Sequence, residues 1–316
     1  MPHAALGLDP MSTQPRDRRM ATTMGVVAIV LWSCTVAVAR ELSETVGTTT
    51  ASAIMLLGGG LVGCGHAALR HRLGAILALP SRYLLGCGGL FVTYMVCLYL
   101  AIGLASSRQQ AIEVGIINYL WPGLTLLFAV PLLGTRVRWT FAPGVVLAFG
   151  GAALAPLRPG EYSLGALGQS LLANPLPYVL ALTAAVSWAL YSVLSRRLAA
   201  EQPTGAVPIF AVAAGLVLAG LRLVLHEQSH FGVRAAAELG FMALFPVLLA
   251  YGLWDRAMRR GNVTLVAALS YFAPLLSTVV SLLYLEVKPS PTLWPACALV
   301  IAGALVCERS VVRAAA

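Results

Sequence analysis

The chain has 316 residues, of which 59% are hydrophobic and 10% are charged, whereas a typical soluble domain has roughly 25% charged residues. This composition excludes an ordinary soluble globular protein and a disordered chain. The formal net charge of +9 is not evidence of nucleic-acid binding, because the cations are scattered in short clusters with no continuous basic stripe. We expect a membrane protein that is embedded in the lipid bilayer and has no nucleic-acid partner.

The apolar segments predict transmembrane helices. A helix needs about 20 mostly apolar residues to cross about 30 Å of hydrocarbon, and ten windows of the sequence approach that length. Residues 1–19 before them are polar and predict a disordered tail. In chain order the predicted spans are 21–39, 48–69, 83–105, 111–133, 139–157, 177–195, 206–225, 237–255, 264–285 and 293–307.

The arginines indicate the orientation of these spans. Once ten spans are drawn, 15 of the 21 Lys and Arg residues fall on the side of the N-terminus and six fall on the other side. Because positive residues are enriched in cytoplasmic loops, we expect both termini in the cytoplasm. An even number of spans agrees with that orientation.

An internal repeat divides the chain into two halves. Aligning the sequence with itself at an offset of 152 residues, or 156 near the start of each half, matches tryptophans, tyrosines and prolines in the same order. Five spans per copy is an odd number, so the copies must lie in the membrane in opposite orientations, as in secondary transporters. The matches include Trp32 with Trp188, Tyr99 with Tyr251, Tyr119 with Tyr271, and Pro122 with Pro274. The predicted organisation is a first repeat at 20–157, a periplasmic linker at 158–176, a second repeat at 177–309 and a C-terminal tail at 310–316.

These features resemble the drug/metabolite transporter superfamily in its ten-helix EamA-type branch. The resemblance depends on the 5+5 repeat, the tryptophan in the first helix of each half, and the proline in the fourth helix of each half. Leu285 and Glu286 close the ninth span as in many relatives, whereas the first half has Gly134 and Thr135 in the corresponding place. The run from Asn118 to Pro122 looks like that of YddG-type exporters of aromatic and other amino acids. The resemblance implies an all-α secondary transporter that exports amino acids across a bacterial inner membrane by alternating access.

The sequence lacks the residues that other functions require. It has no zinc-hydrolase, nucleophile-elbow or phosphate-loop motif, and its six cysteines lie in apolar windows without a Cys-x-x-Cys pair. We therefore expect neither an enzyme nor a bound metal or cofactor. Two alternatives stay open: a sugar-phosphate or nucleotide-sugar carrier, and a membrane scaffold or enzyme that transports nothing.

The distribution of charge favours a neutral or zwitterionic small-molecule substrate. No predicted span has an ionisable residue near its middle, where such groups are costly and usually functional. Glu113 and Glu286 lie near the outer ends of their spans, and Asp255 lies at the inner end of the eighth span. A phosphorylated substrate would need Arg or Lys in its path. Because no central group can carry a proton, we also expect transport that needs no proton gradient.

Aromatic and small polar residues at mid-span are the candidate binding residues. Proline lacks an N–H group and displaces the carbonyl four residues earlier, so Pro122 and Pro274 are predicted to free the carbonyls of Asn118 and Ser270 for an ammonium group or water. The alternatives are a kink satisfied by a neighbouring helix, interfacial aromatic belts and serines bonded to their own backbone. The predicted set is Trp32, Tyr94, Tyr99, Asn118, Tyr119, Trp121, Pro122, Ser187, Trp188, Tyr191, Ser270, Tyr271 and Pro274.

Overall fold

The computed structural model describes residues 15–106, 110, 114–115, 117–154, 173–199, 202, 204–225, 227–284 and 293–312. Glu113, Glu286, most of the predicted linker and most of both predicted tails lie outside these residues. The first half contains α1 (Pro15–Trp32), α2 (Thr35–Thr45), α3 (Thr48–Leu69), α4 (Leu73–Leu77), a π-helical turn (Arg82–Cys87), α5 (Gly88–Gly103), α6 (Trp121–Leu133) and α7 (Phe141–Leu154). The second half contains α8 (Leu176–Ala199), α9 (Val207–Val224), α10 (Val233–Met242), a π-helical segment (Ala243–Ala250), α11 (Tyr251–Arg260), α12 (Val263–Leu269), α13 (Phe272–Tyr284) and α14 (Leu293–Ser310).

The helices have the length and apolar composition of membrane spans. Within the described residues, six helical segments, including one interrupted by a short turn, are long and apolar enough to cross a bilayer. Shorter apolar helices occupy Trp121–Leu133, Phe141–Gly151 and Leu265–Ser277. The predicted all-helical membrane class is therefore confirmed. The six long segments are Asp17–Thr45, Thr48–Leu69, Arg82–Gly103, Leu176–Ala199, Val207–Val224 and Val233–Arg260.

The first predicted span is interrupted near its middle. A turn at Ser33 and Cys34 separates α1 from α2. The Ser33 hydroxyl donates to the carbonyl of Val30 at 2.6 Å, and the Cys34 thiol donates to that of Leu31 at 2.9 Å. These side-chain bonds compete with the helical ladder. The equivalent helix α8 runs without a break from Leu176 to Ala199, so the two halves differ here.

The helix before each proline is also interrupted. A turn at Tyr119 and Leu120 precedes α6, and a turn at Ser270 and Tyr271 precedes α13. Tyr119 and Tyr271 correspond at the offset of 152 residues, so the two breaks lie within one residue of each other in the repeat. The missing proline N–H and the clash of its ring account for both breaks.

Packing joins the two halves. Helix α3 packs against α9 and α7 against α14, and the same is true of α1 with α11 and of α5 with α8. Gly60 in α3 shows how closely the helices approach, because a Cβ at that position would lie 2.8 Å from the backbone nitrogen of Val212 in α9. Small residues are what permit such close approach between membrane helices.

Two polar junctions mark the ends of the bundle. At the end where α1 begins, called the inner end below, the Asn262 amide donates to the Thr22 hydroxyl at 3.1 Å. At the opposite, outer end, Glu227 caps α3, accepting hydrogen bonds from the amides of Thr49 at 2.9 Å and Thr50 at 3.0 Å. Burial of Glu227 raises its pKa, but the hydrogen bonds from Thr49 and Thr50 lower it, and the net pKa lies below the ordinary 4.5.

Candidate binding cavity

A cavity of about 50 Å³ lies inside the bundle, at the breaks in the first and fourth predicted spans. It is lined mainly by aromatic and aliphatic side chains. No Asp, Glu, Lys, Arg or His is among the described residues that line it. Its walls are Trp32, Thr35, Val36, Tyr94, Leu98, Tyr99, Ile102, Gly115, Asn118, Tyr119, Trp121, Trp188, Tyr251 and Ala273.

Trp188 is the centre of the aromatic wall. It is 1% exposed and its ring centroid lies 4.7 Å from that of Tyr94, 5.4 Å from that of Trp32 and 5.3 Å from that of Tyr251. Edge-to-face and offset arrangements of this kind are favourable between aromatic rings. The cavity therefore has preformed aromatic faces on several sides.

Trp254 does not line the cavity but packs against Trp121, which does. Their rings meet edge to face at 5.1 Å, and the Trp254 indole N–H donates to the Ser192 hydroxyl at 3.1 Å. The Trp32 indole N–H donates to the carbonyl of Pro246 at 3.2 Å. Pro246 lies in the π-helical segment Ala243–Ala250. The indole nitrogens of Trp32 and Trp254 are thus hydrogen-bonded, and their ring faces are left for apolar contact.

Seven of the thirteen predicted site residues line the cavity. They come from α1, from α5, from the segment just before α6, from α6 itself and from α8, and the fold brings them to one place. They are Trp32, Tyr94, Tyr99, Asn118, Tyr119, Trp121 and Trp188.

Three other predicted residues are buried beside the cavity without lining it. Tyr191 stacks on Trp188 with centroids 5.1 Å apart and an interplanar angle of 25°. Ser187 is buried in α8, and Pro122 is buried in the first turn of α6. Tyr191 thus supports the Trp188 side of the wall.

The remaining three predicted residues do not line the cavity. Tyr271 lies in a separate cluster with Leu126, Phe141 and Cys307, and its ring meets that of Phe149 at 6.2 Å. Ala273, next to Pro274, lines the cavity in their place. The structure therefore does not bring Ser270, Tyr271 and Pro274 together with the other seven.

Ser270 also differs from the expectation of a freed carbonyl. Its carbonyl accepts a hydrogen bond from the Ala273 amide at 2.9 Å. Its hydroxyl donates to the carbonyl of Ala267 at 2.5 Å. The turn before Pro274 thus satisfies locally the groups that the proline releases, which corrects the prediction of an open carbonyl at Ser270.

Sequence reasoning missed several residues of the wall, and the repeat could have found some of them. Ala273 lies 152 residues after Trp121, and Tyr251 lies 152 residues after Tyr99. Thr35 lies 156 residues before Tyr191. The repeat offsets from Trp121, Tyr99 and Tyr191 indicate these three positions. The other missed residues are Val36, Leu98, Ile102 and Gly115.

A buried ionic cluster lies at the inner end, below the cavity. Asp255 and Arg259 are 2% and 5% exposed. Arg259 Nε and Nη2 both approach Asp255 Oδ2 at 2.8 Å. The hydroxyls of Tyr83 and Tyr191 donate to Asp255 Oδ1 at 3.3 and 3.2 Å. The sequence places Asp255 at the inner end of a span, and the structure adds the partners that make its burial tolerable.

The cluster connects the π-helical turn, α8 and α11 to the loop between α8 and α9. Arg259 Nη1 donates to the carbonyl of Gln202 at 2.8 Å. The Ala206 amide donates to the Tyr83 hydroxyl at 3.3 Å. Gly205 is packed against the carboxylate so closely that a Cβ there would lie 2.0 Å from Asp255 Oδ2. These contacts hold the loop before α9 against the cluster at the inner end of the bundle.

No metal-binding group is apparent in the part of the chain that the structure describes. Within those residues, no three side chains of the His, Cys, Asp and Glu type lie together. The chemistry available in the cavity is apolar contact, aromatic stacking and hydrogen bonding.

Comparison with known proteins identifies similar families and structures. The model of the EamA-like transporter family matches the chain twice, at residues 19–156 and 175–308. The aromatic amino acid exporter YddG of Salmonella typhimurium is 34% identical over 289 residues, which cover 91% of this chain and 96% of that protein. The aromatic amino acid exporter YddG of Ancylobacter novellus is 36% identical over 295 residues, covering 92% and 97%.

The fold is also found in a solved structure. A crystal structure superposes on this chain with a TM-score of 0.76 at 31% sequence identity, covering 92% of this chain and 98% of the other. The similarity thus extends over nearly the full length of both molecules.

Proposed function

The chain belongs to the EamA-like transporter family, and on that basis we propose that it is a secondary transporter that exports amino acids, including aromatic ones, across a bacterial inner membrane. The observation that carries the proposal is the uncharged, aromatic cavity inside the helical bundle. The curated relatives are named as aromatic amino acid exporters, and such a substrate offers the apolar side chain that this wall accommodates. The relatives' names describe transport and not enzymatic chemistry.

The proposed architecture is ten spans in two inverted repeats, at 20–157 and 177–309, joined by a periplasmic linker at 158–176. The two separate matches of the family model support this division. The packing supports the division too. A repeat that relates the first span to the sixth and the third span to the eighth matches α1 with α8 and α5 with α11. The contact between α1 and α11 then corresponds to the contact between α8 and α5, and both contacts are present.

We place both termini in the cytoplasm. The 15 to 6 distribution of Lys and Arg supports this orientation. The inner end carries Arg196, which donates to the carbonyl of Gly261 at 2.9 Å, together with Arg259 and Arg260 at the end of α11. With the inner end cytoplasmic, the Asp255 cluster lies on the cytoplasmic side of the cavity.

Binding of an aromatic amino acid requires a rearrangement of the cavity. Its volume of about 50 Å³ is a third of the roughly 150 Å³ that holds a benzene molecule in an engineered protein cavity. Rocking of one repeat against the other would widen the cavity and open the inner end, as alternating access requires.

The lining disfavours a carrier of sugar phosphates or nucleotide sugars. A phosphate group is bound by Arg or Lys, and the described residues of the wall include neither. No observation in the described structure favours a scaffold or an enzyme over a carrier.

Counterflow in proteoliposomes tests the proposal. Vesicles that contain the purified chain and unlabelled L-phenylalanine inside are expected to accumulate labelled L-phenylalanine transiently, whereas protein-free vesicles are not. A panel of amino acids and hexose phosphates gives the specificity. Exchange of hexose phosphates without exchange of any amino acid would overturn the proposal, and so would the absence of flux for the whole panel.

A further inference from the structure

The N-terminus of α2 faces the cavity without a cap. Its N-cap residue, Cys34, makes no side-chain capping bond, and its first turn has no acidic residue. The first backbone hydrogen bond into α2 runs from Val38 to the carbonyl of Cys34 at 3.2 Å, so the amides of Thr35 and Val36 precede the helical ladder. Both residues line the cavity. An open helix N-terminus favours an anionic group.

Two polar atoms of the cavity wall are buried without a partner. They are the hydroxyl oxygen of Thr35 and the side-chain Oδ1 of Asn118, and the Asn118 side chain is 92% buried, being 8% exposed. Buried polar atoms almost always have a hydrogen-bond partner, and each exception needs an explanation. A ligand in the cavity would supply both missing partners.

The two atoms favour ligand groups of opposite charge. The Thr35 hydroxyl can donate alongside the open amides of α2, so this side suits a carboxylate. Asn118 Oδ1 can only accept, so it suits an ammonium group. The wall has no fixed charge in its described residues, which favours a ligand whose own charges sum to zero.

The break in the first span occurs in one half only. The position that corresponds to Thr35 is Tyr191, and it lies inside the unbroken helix α8. The second half therefore has no equivalent helix N-terminus at the cavity. A ligand with a carboxylate has one preferred orientation.

We propose that the first turn of α2, with the Thr35 hydroxyl, binds the carboxylate of the transported amino acid, and that Asn118 Oδ1 binds its ammonium group. This assignment rests on the proposed function and adds to it the polarity of the bound substrate. The side chain of the substrate then lies against the faces of Trp121 and Trp188. The sequence predicts that the backbone carbonyl of Asn118 is free to bind an ammonium group, whereas this proposal assigns that contact to the side-chain oxygen.

Matched ligands and variants test each half of the assignment. The probes are L-phenylalanine, L-phenylalaninamide, which lacks the carboxylate, and 3-phenylpropanoate, which lacks the ammonium group. Affinities are measured by calorimetry on the full chain in nanodiscs. Thr35→Val is expected to weaken L-phenylalanine binding about tenfold, the loss of one hydrogen bond to a charged group, with little effect on the amide. Asn118→Leu is expected to weaken L-phenylalanine and to leave 3-phenylpropanoate unaffected.

Control variants separate binding from folding. Thr35→Val removes a buried hydroxyl that has no partner, so the melting temperature of the ligand-free protein should not fall. Thr35→Ser keeps the hydroxyl and should recover most of the affinity. Thr183→Val makes the same change on an exposed face, where the hydroxyl donates to the carbonyl of Val179 at 2.8 Å, and should bind all three probes like the wild type.

The outcomes distinguish this inference from the proposed function. If Thr35→Val weakens the acid and the amide by the same factor, or weakens neither, the carboxylate assignment is wrong. Equal losses of L-phenylalanine and 3-phenylpropanoate in Asn118→Leu would reject the ammonium assignment. Both results are compatible with amino-acid flux through the wild-type protein. A wild-type protein that neither binds nor exchanges any amino acid would instead overturn the proposed function.

Discussion

Trp32 and Trp188, which lie 156 residues apart in the sequence, meet edge to face with ring centroids 5.4 Å apart. Each comes from the first helix of its half, so the contact joins the two halves in the middle of the bundle. A movement of one half against the other must slide or separate these rings. The proposed binding wall and the interface that alternating access would move therefore share these side chains.

Trp121 offers the most direct test of the aromatic wall. Replacement by Ala would leave a void in a position that is 4% exposed, and such changes cost about 3–5 kcal/mol of unfolding free energy. Trp121→Phe keeps an aromatic ring of smaller area. We expect it to raise the KM for an aromatic amino acid about two- to tenfold, the range of one aromatic contact, in a proteoliposome assay.

Trp139 provides the control for that variant. Its side chain is 83% exposed and lies outside the cavity. Trp139→Phe should transport like the wild type. Equal KM changes in both variants would show that the effect of Trp121 is not specific to the wall.

The hydroxyl group of Tyr271 is expected to be dispensable for transport. The structure places it outside the cavity, with its buried hydroxyl lacking a partner. Tyr271→Phe removes that unsatisfied group, so both the melting temperature and the transport rate should be maintained or slightly raised. A large rise in KM in this variant would return Tyr271 to the binding site that the sequence suggested.

Asp255→Asn should destabilise the protein strongly. It leaves the buried Arg259 without its counter-ion, and breaking one partner of a buried pair typically costs about 3–5 kcal/mol. Denaturant unfolding in detergent measures the change. Arg234→Gln is the comparison, because the Arg234 side chain is 67% exposed in its pair with Glu238, and exposed pairs contribute little. Equal effects of the two changes would contradict the buried role of Asp255.

Gly205 tests the same cluster sterically. A Cβ at this position would lie 2.0 Å from Asp255 Oδ2, whereas nothing lies within 4 Å of a Cβ at Gly252 in α11. Gly205→Ala is expected to lower the melting temperature by several degrees. Gly252→Ala should raise it slightly, because Ala favours a helix. A neutral Gly205→Ala would mean that the loop before α9 packs less tightly against the carboxylate.

Glu227 should make the outer end sensitive to acid. Its pKa is lowered in the folded protein from the ordinary 4.5, so its ionised form stabilises the fold above that pH. The contribution is lost as the pH falls through the lowered folded value. Glu227→Gln should therefore reduce the melting temperature at pH 7, and the difference from the wild type should shrink below about pH 4. A difference that does not depend on pH would assign the effect to shape and not to charge.

A pH step is expected to drive no uphill accumulation. The described cavity wall has no carboxylate or imidazole, and the carboxylate of Asp255 is already paired with Arg259 at 2.8 Å. Glu113→Gln, a position outside the described residues, should keep most of the activity. Accumulation driven by an imposed pH gradient and abolished in that variant would show that the carrier is a proton antiporter.

The sequence by itself determined the membrane class, the family and much of the aromatic wall. A long apolar segment predicts a transmembrane helix directly, because the backbone groups of a membrane span must form their hydrogen bonds within the helix itself. Trp32 and Trp188 could be recognised because the repeat relates them and large aromatics at mid-span are rare away from the interfaces. Trp121 could be recognised because it lies at mid-span beside a proline.

Only the tertiary structure decided which polar groups meet. Tyr119 and Tyr271 are equivalent in the repeat, yet one lines the cavity and the other packs against Phe149, because the two halves adopt different local packing in one conformation. Asp255 accepts hydrogen bonds from Tyr83, which is 172 residues away in the sequence, and from Tyr191, which is 64 residues away. No local pattern encodes such contacts. The open turn at Thr35 likewise arises from side-chain bonds of Ser33 and Cys34 that compete with the helix, and its exposure to the cavity depends on where the neighbouring helices lie.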